Sequence, residues 1–162
     1  MDSIVSKLVA DVAIPKMFKV RQLFPRERVD VRDIPDTIRG LMSREELVSQ
    51  IRPGMKIAVT AGSRGIANVA LITRTIVDFV RERGAKPFIV AAMGSHGGAT
   101  KEGQLAVLSG LGITEETMGC PIKADMDVVK IGVNEEGMDV MIGRNAWEAD
   151  GIIVSCRIKP HT

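Results

Sequence analysis

The pattern that most constrains this chain occurs in it twice. Residues 87–100 read Pro-Phe-Ile-Val-Ala-Ala-Met-Gly-Ser-His-Gly-Gly-Ala-Thr. The stretch 88–92 is a short continuous apolar run, the pattern of a strand buried on both faces of a parallel sheet. It ends in Gly94-Ser95-His96-Gly97-Gly98, where glycine frees the backbone and lets a ligand approach closely. Thr100 then reads as the N-cap of a helix starting near Lys101. Thirty-two residues earlier, Gly62-Ser63-Arg64-Gly65-Ile66-Ala67 follows a second apolar run, 57–60, and also leads into a helix. A βαβ unit takes about 30 residues or more, so this offset predicts two successive parallel strands. Arg64 and His96 then stand at neighbouring strand ends, where an open α/β sheet presents its ligand site. An arginine that grips a carboxylate beside a histidine that moves a proton is a reactive pair. The same spacing also admits two ordinary glycine-rich turns with solvated side chains.

The expected fold is α/β: a Rossmann-like, mostly parallel sheet with helices on both faces and an N-terminal arm. Residues 1–54 are expected to form the arm and a helical lead-in, and residues 55–162 the α/β domain. Within the lead-in, 3–12 suits a short amphipathic helix through Ile4, Leu8 and Val12. Residues 19–23 alternate like a half-buried strand. A helix follows Asp33 with Ile38, Leu41 and Met42 on one face, and Ser43-Arg44-Glu45-Glu46 reads as a capping box for the next. Beyond the Arg64 turn, Asn68 is expected to cap a helix with the stripe Leu71, Ile72, Ile76, Phe79 and Val80, ending at Gly84. The helix after Thr100 packs Leu105 and Leu108 and stops near Gly110, and Thr114 opens a short turn with Glu115 and Glu116. Stretches 127–131 and 138–142 read as a hairpin, and 145–149 as a helical turn. Gly151-Ile152-Ile153-Val154-Ser155 reads as one more fully apolar strand, leading to His161, the second of two histidines.

Composition narrows the function. A chain of 162 residues with 45% hydrophobic and 26% charged residues is ordinary globular material for one domain. A net charge of +2, four Phe, one Trp and no Tyr leave neither a basic stripe nor stacking platforms, which argues against nucleic-acid binding. No apolar run reaches the ~20 residues of a membrane helix, and no signal peptide is evident, so a cytoplasmic location is expected. Cys120 and Cys156 lack CxxC spacing and read most simply as reduced thiols, with a single disulfide as the alternative; with two histidines they make no recognisable metal-ligand set. Neither glycine turn fits GxGxxG or GxxxxGK[ST].

Three stretches together carry a family resemblance: Ser63-Arg64 after its strand, Gly94-Ser95-His96 with Thr100 and Glu102, and Trp147-Glu148-Ala149-Asp150-Gly151-Ile152-Ile153-Val154-Ser155 leading to His161. In these the chain resembles the N-terminal domain of the nickel-dependent lactate racemase family, which includes other 2-hydroxyacid racemases and epimerases. The resemblance implies an isomerase of two α/β domains with its site in the cleft between them. It implies a nickel-pincer nucleotide cofactor whose pyridinium ring takes the Cα hydride of a small 2-hydroxy acid and returns it to either face. His96 and His161 then correspond to the two acid/base histidines and Arg64 to the arginine facing the substrate carboxylate. On the same resemblance Gly62, Ser63, Gly94 and Ser95 are expected to line the cofactor. This chain departs from the pattern at Ala61 and Gly65, where family members carry an acidic residue before the arginine and a proline after it.

In the family, the lysine that tethers the cofactor and a further nickel-binding histidine lie downstream of the His161 motif. The chain is therefore expected to be the N-terminal part of a longer enzyme, with room for an oligomer. The competing expectation is a non-catalytic anion- or nucleotide-binding α/β module, because glycine turns at helix N-termini favour anions whatever the family. The isolated 162-residue chain is expected not to racemise lactate, malate or any other 2-hydroxy acid, even when given pincer cofactor. A polarimetric assay that detects turnover contradicts this.

Overall fold

The computed structural model describes residues 10–13, 16–23, 28–63 and 65–158. Four parallel strands form its sheet: β1 (Lys56–Ala61), β2 (Lys86–Ala91), β3 (Ile122–Lys123) and β6 (Gly151–Ile153), in the spatial order β3-β2-β1-β6. A separate antiparallel hairpin joins β4 (Val128–Val133) to β5 (Asp139–Gly143), with an irregularity between Lys130 and Gly132. The helices are α1 (Ile34–Met42), α2 (Glu45–Val48), α3 (Val69–Glu82), α4 (Lys101–Gly110), α5 (Glu115–Met118) and α6 (Arg144–Trp147).

The two apolar runs form central strands because both of their faces are covered. On one face Val59 and Ala61 of β1 and Ile89 of β2 pack with Ile76 and Val77 of α3, Leu108 of α4 and Met118 of α5. On the other face Ala58, Phe88 and Val90 are buried, with Ala149, just after α6, packed against them. The expected α/β architecture is present, with the longer helices gathered on one face and the 124–150 connection serving the other. Val59, Val77, Ile89 and Leu108 are fully buried. Each such side chain contributes about 1.5–3 kcal/mol of burial energy. Ile38 and Met42 of α1 reach the same core, and Arg39 donates to the Glu82 carboxylate at 2.8 Å, fixing α1 to the end of α3.

Several local expectations are corrected. Residues 19–23 form no strand: the described segment 16–23 has no regular structure and is exposed throughout, with Phe18 at 84% and Val20 at 75%. Alternation specifies a strand only where a sheet edge receives it, and no described edge pairs with this segment. The Ser43 capping box does not form, because Ser43 is spent ending α1, its N–H on the Arg39 carbonyl, and Arg44 stands at the start of α2 without a side-chain cap bond. Asn68 does precede α3, but in the left-handed region (φ 58°) and without a cap bond. The strand at 151–155 is shorter than expected and lies at the sheet edge, leaving Ile152 43% and Val154 69% exposed. The sequence gives no sign of the two-residue β3, which is too short to carry a pattern. The helix expected at 3–12 falls largely outside the described residues.

Thr100 caps α4 as expected, accepting from the Gly103 N–H at 3.1 Å. Gly103 is required there by a close approach: a Cβ on it would overlap the Gly97 carbonyl and stand 2.9 Å from the Thr100 hydroxyl oxygen. Gly103→Ala is expected to cost about 2 kcal/mol or more. In a domain of this size that lowers Tm by roughly 4–8 °C. Gly110→Ala, where nothing stands within 4 Å, serves as the control; equal melting of the two variants would contradict the packing described.

Candidate functional site

Parallel pairing in register, from Lys56↔Lys86 to Ala61↔Ala91, brings the two glycine turns side by side at the carboxyl edge of the sheet. The Ala92 N–H continues the ladder to the Ala61 carbonyl at 2.8 Å. Directly beyond, Ser63 on the first turn is hydrogen-bonded through Oγ to Nδ1 of His96 on the second. Both side chains are half-buried. Of the residues singled out in the sequence, Gly62, Ser63, Gly94, Ser95 and His96 therefore converge on one edge. Arg64 and His161 lie outside the described residues.

The His96 turn owes its shape to backbone only glycine adopts easily. Gly94, Gly97 and Gly98 have φ of 58°, 66° and 68°, and Ala99 follows at 53°. An alanine in the left-handed region is strained by about 1 kcal/mol or more. The turn is tied down from beneath by Gln104, a residue the sequence reading passed over. Only 4% exposed, it donates from its side-chain amide to the carbonyls of Gly94 at 2.9 Å and His96 at 3.4 Å. Its sequence signal was a polar residue four positions before Leu108 on the buried side of α4. A buried amide needs partners, and here the loop backbone supplies them. Lys101, at the start of the same helix, bonds Asp125 at 2.6 Å, and Asn145 donates to the same carboxylate. The Lys101 bond, with the Asn145 bond second, holds the Asp125 carboxyl below its usual pKa range.

The third wall is the segment after β6. Thr60 of β1 clasps Ser155 with two bonds: its hydroxyl accepts from the Ser155 N–H at 2.9 Å and donates to the Ser155 carbonyl at 3.3 Å. Two residues on, Arg157 Nη1 donates to the Gly65 carbonyl at 3.2 Å, so residues 155–157 run across the first glycine turn. Strand order places this crossing between β1 and β6. The chain enters α3 from β1 and reaches β6 only after the 124–150 connection on the opposite face, so the order switches direction here. That switch point is where open α/β sheets bind ligands. Neither Thr60 nor Arg157 was marked in the sequence, because neither belongs to a local motif.

Two other features lie apart from this edge. A groove of about 380 Å³ runs between α1, α2 and β6, lined by Met42, Leu47, Ile51, Met55 and Ile152. Its lining is mainly apolar and includes none of Ser63, Gly94 or His96, so it offers packing rather than chemistry. Cys120 is buried, and that burial pushes its thiol pKa up, whereas Cys156 is exposed. Among the described residues no three His, Cys, Asp or Glu side chains converge to hold a metal ion, and no helix is long and apolar enough to cross a membrane.

Gln104→Met keeps the bulk and removes the donors. It is expected to cost about 1–2 kcal/mol in urea unfolding and to shift the His96 ring resonances; an unchanged midpoint and spectrum would contradict the tethering role.

No curated protein gives a significant match to the chain. The family model described as the lactate racemase N-terminal domain matches residues 7–162, which takes in both glycine turns, the β6 strand and the segment that crosses the first turn. The chain belongs to the lactate racemase N-terminal domain family.

Proposed function

We propose that this chain is the N-terminal α/β domain, with its arm and lead-in, of a two-domain 2-hydroxyacid racemase or epimerase, and that His96 is one of its two acid/base histidines. The observation that carries this reading is the Ser63–His96 hydrogen bond across two adjacent strand ends, in a chain of the lactate racemase family. A histidine held through Nδ1 does its proton chemistry through Nε2. In this reading the Ser63 hydroxyl accepts the Nδ1–H, which would select the tautomer whose Nε2 can take a proton. A neutral hydroxyl also adds no fixed charge, so the same ring can take the substrate hydroxyl proton in one direction and return it in the other. That reversibility is what racemisation requires of a base.

The remaining roles follow the family pattern. Arg64 holds the substrate carboxylate in two-point geometry, a match that a guanidinium makes and an ammonium does not. His161 serves the opposite enantiomer. The glycine-lined edge fits the organic part of a nickel-pincer nucleotide: a Cβ at Gly94 would meet nothing within 4 Å, and one at Gly62 only the Ala92 carbonyl at 3.8 Å. The described residues do not fit nickel itself, since no ligand set converges among them. Gly62, Ser63, Gly94 and Ser95 would line the nucleotide, leaving the metal to groups elsewhere. When bound, such a cofactor supplies an electrophilic ring carbon that takes and returns the Cα hydride. The chain's own residues orient the acid, move its hydroxyl proton and wall the edge with the backbone of 155–157.

In the complete protein loaded with cofactor, His96→Asn is expected to lower kcat for racemisation by about 10²–10⁴-fold, with nickel content unchanged. Full turnover by His96→Asn, or no interconversion of any 2-hydroxy acid by the wild-type protein, contradicts the reading.

A further inference from the structure

The β4–β5 hairpin leaves Val128, Ile131, Val133, Met138, Val140 and Met141 exposed, and among the described residues it pairs with no third strand. A two-stranded ribbon is marginal in water and needs a further strand or a covering layer. Its base is nonetheless tied down. The Arg144 N–H donates to the Asp127 carbonyl at 2.8 Å, and Lys101 and Asn145 both hold Asp125. A second segment is left open in the complementary way. Residues 16–23, Lys-Met-Phe-Lys-Val-Arg-Gln-Leu, alternate like a strand, yet no described strand receives them and every one is exposed.

The two edges of the hairpin differ. The register irregularity between Lys130 and Gly132 lies in β4, and a bulge spoils an edge for further pairing. β5 has no such break. Val129 pairs with Ile142 and Gly132 with Val140, so Val140 and Ile142 share one face of β5, and Asp139 and Met141 share the other. The arm has the same arrangement: Phe18 and Val20 fall on one face of an extended chain, Lys19 and Arg21 on the other. Laid beside β5 with Phe18 and Val20 extending the Val140 face, it brings Lys19 and Arg21 to the face of Asp139. That carboxylate already meets Lys130 at 2.5 Å, but it is exposed and has room for further donors. The charges agree more widely. The charged residues of 16–23 are all basic, whereas 127–143 carries Asp127, Glu135, Glu136 and Asp139 against Lys130 alone.

The geometry points to an arm-exchanged homodimer, in which residues 16–23 of one copy add as a third strand to the outer edge of β5 in a second copy. Arm and hairpin of one chain stand at opposite ends of the sheet. The arm leads into α1, which Arg39 holds to Glu82 at the amino end, while the Lys101–Asp125 bond roots the hairpin at the carboxyl end. Exchange about a twofold axis covers both arms and both hairpins at once and closes the assembly. Backbone bonds along β5 supply the affinity, and the apolar and charged faces set the register.

The test is sedimentation velocity of the complete protein at micromolar concentration. The wild-type protein is expected to sediment as a dimer, and deletion of residues 16–23 to leave a monomer. Lys19→Glu/Arg21→Glu is expected to weaken the dimer about tenfold or more. Lys130→Glu/Asp139→Lys keeps the ion pair inside the hairpin while reversing the charge that faces the arm, and is expected to weaken it likewise. Mixed in equal amounts, the two charge variants are expected to dimerise again, because each offers the other a matching arm and hairpin. A monomeric wild-type protein overturns the inference, as does a dimer that survives deletion of the arm or is indifferent to either charge reversal. Charge variants that stay monomeric when mixed overturn it too, since the arm is then not exchanged between copies.

Discussion

The pairing of β1 with β2, parallel and in register over six residues, is the constraint on which the site depends. Register in a parallel pair is fixed by which faces must be buried, because a slip of one residue would turn Val59 and Ile89 out of the helix-covered core and Ala58 and Phe88 into it. The glycine turns begin at the same height on both strands only because that register is enforced. Ser63 can then reach His96 across the gap. The hydrophobic core is thus what aims the hydrogen bond, and a substitution far from the edge that loosened the register would break the Ser63–His96 bond without touching either residue.

Around that pair the chain builds a frame from three directions. Gln104 holds the His96 turn from α4, the Thr60 hydroxyl holds the 155–157 tail, and Arg157 closes over Gly65. These contacts use backbone carbonyls and amides far more than other side chains. Such a frame tolerates change at exposed positions while remaining sensitive to the few residues that donate into it. It also explains why glycine is required at Gly65 and at Gly97. At both, another part of the chain occupies the volume a Cβ would need.

Much of this was legible in the sequence, for identifiable reasons. The apolar runs at 57–60 and 88–92 are long enough and apolar enough to specify central strands, and the thirty-two-residue offset carries their connection. Thr100 and Gly84 mark helix ends through strictly local chemistry, and both behave as their residue types predict. Failure occurs where tertiary context decides. Residues 19–23 alternate correctly but find no described partner, and 151–153 is apolar yet sits at an edge. Ser43 could start one helix or end another, and the closeness of α1 settled it. In the site, the glycine turns announce themselves, whereas Thr60, Gln104 and Arg157 act through contacts 8 to 95 residues away and leave no local trace.

The most direct test of the account is ¹⁵N NMR of the His96 imidazole, observed at alkaline pH where the ring is neutral. The account predicts a protonated Nδ1 and an unprotonated Nε2, with Ser63→Ala converting this single form into a mixture of tautomers. A neutral ring protonated at Nε2, and indifferent to the loss of Ser63, would contradict it.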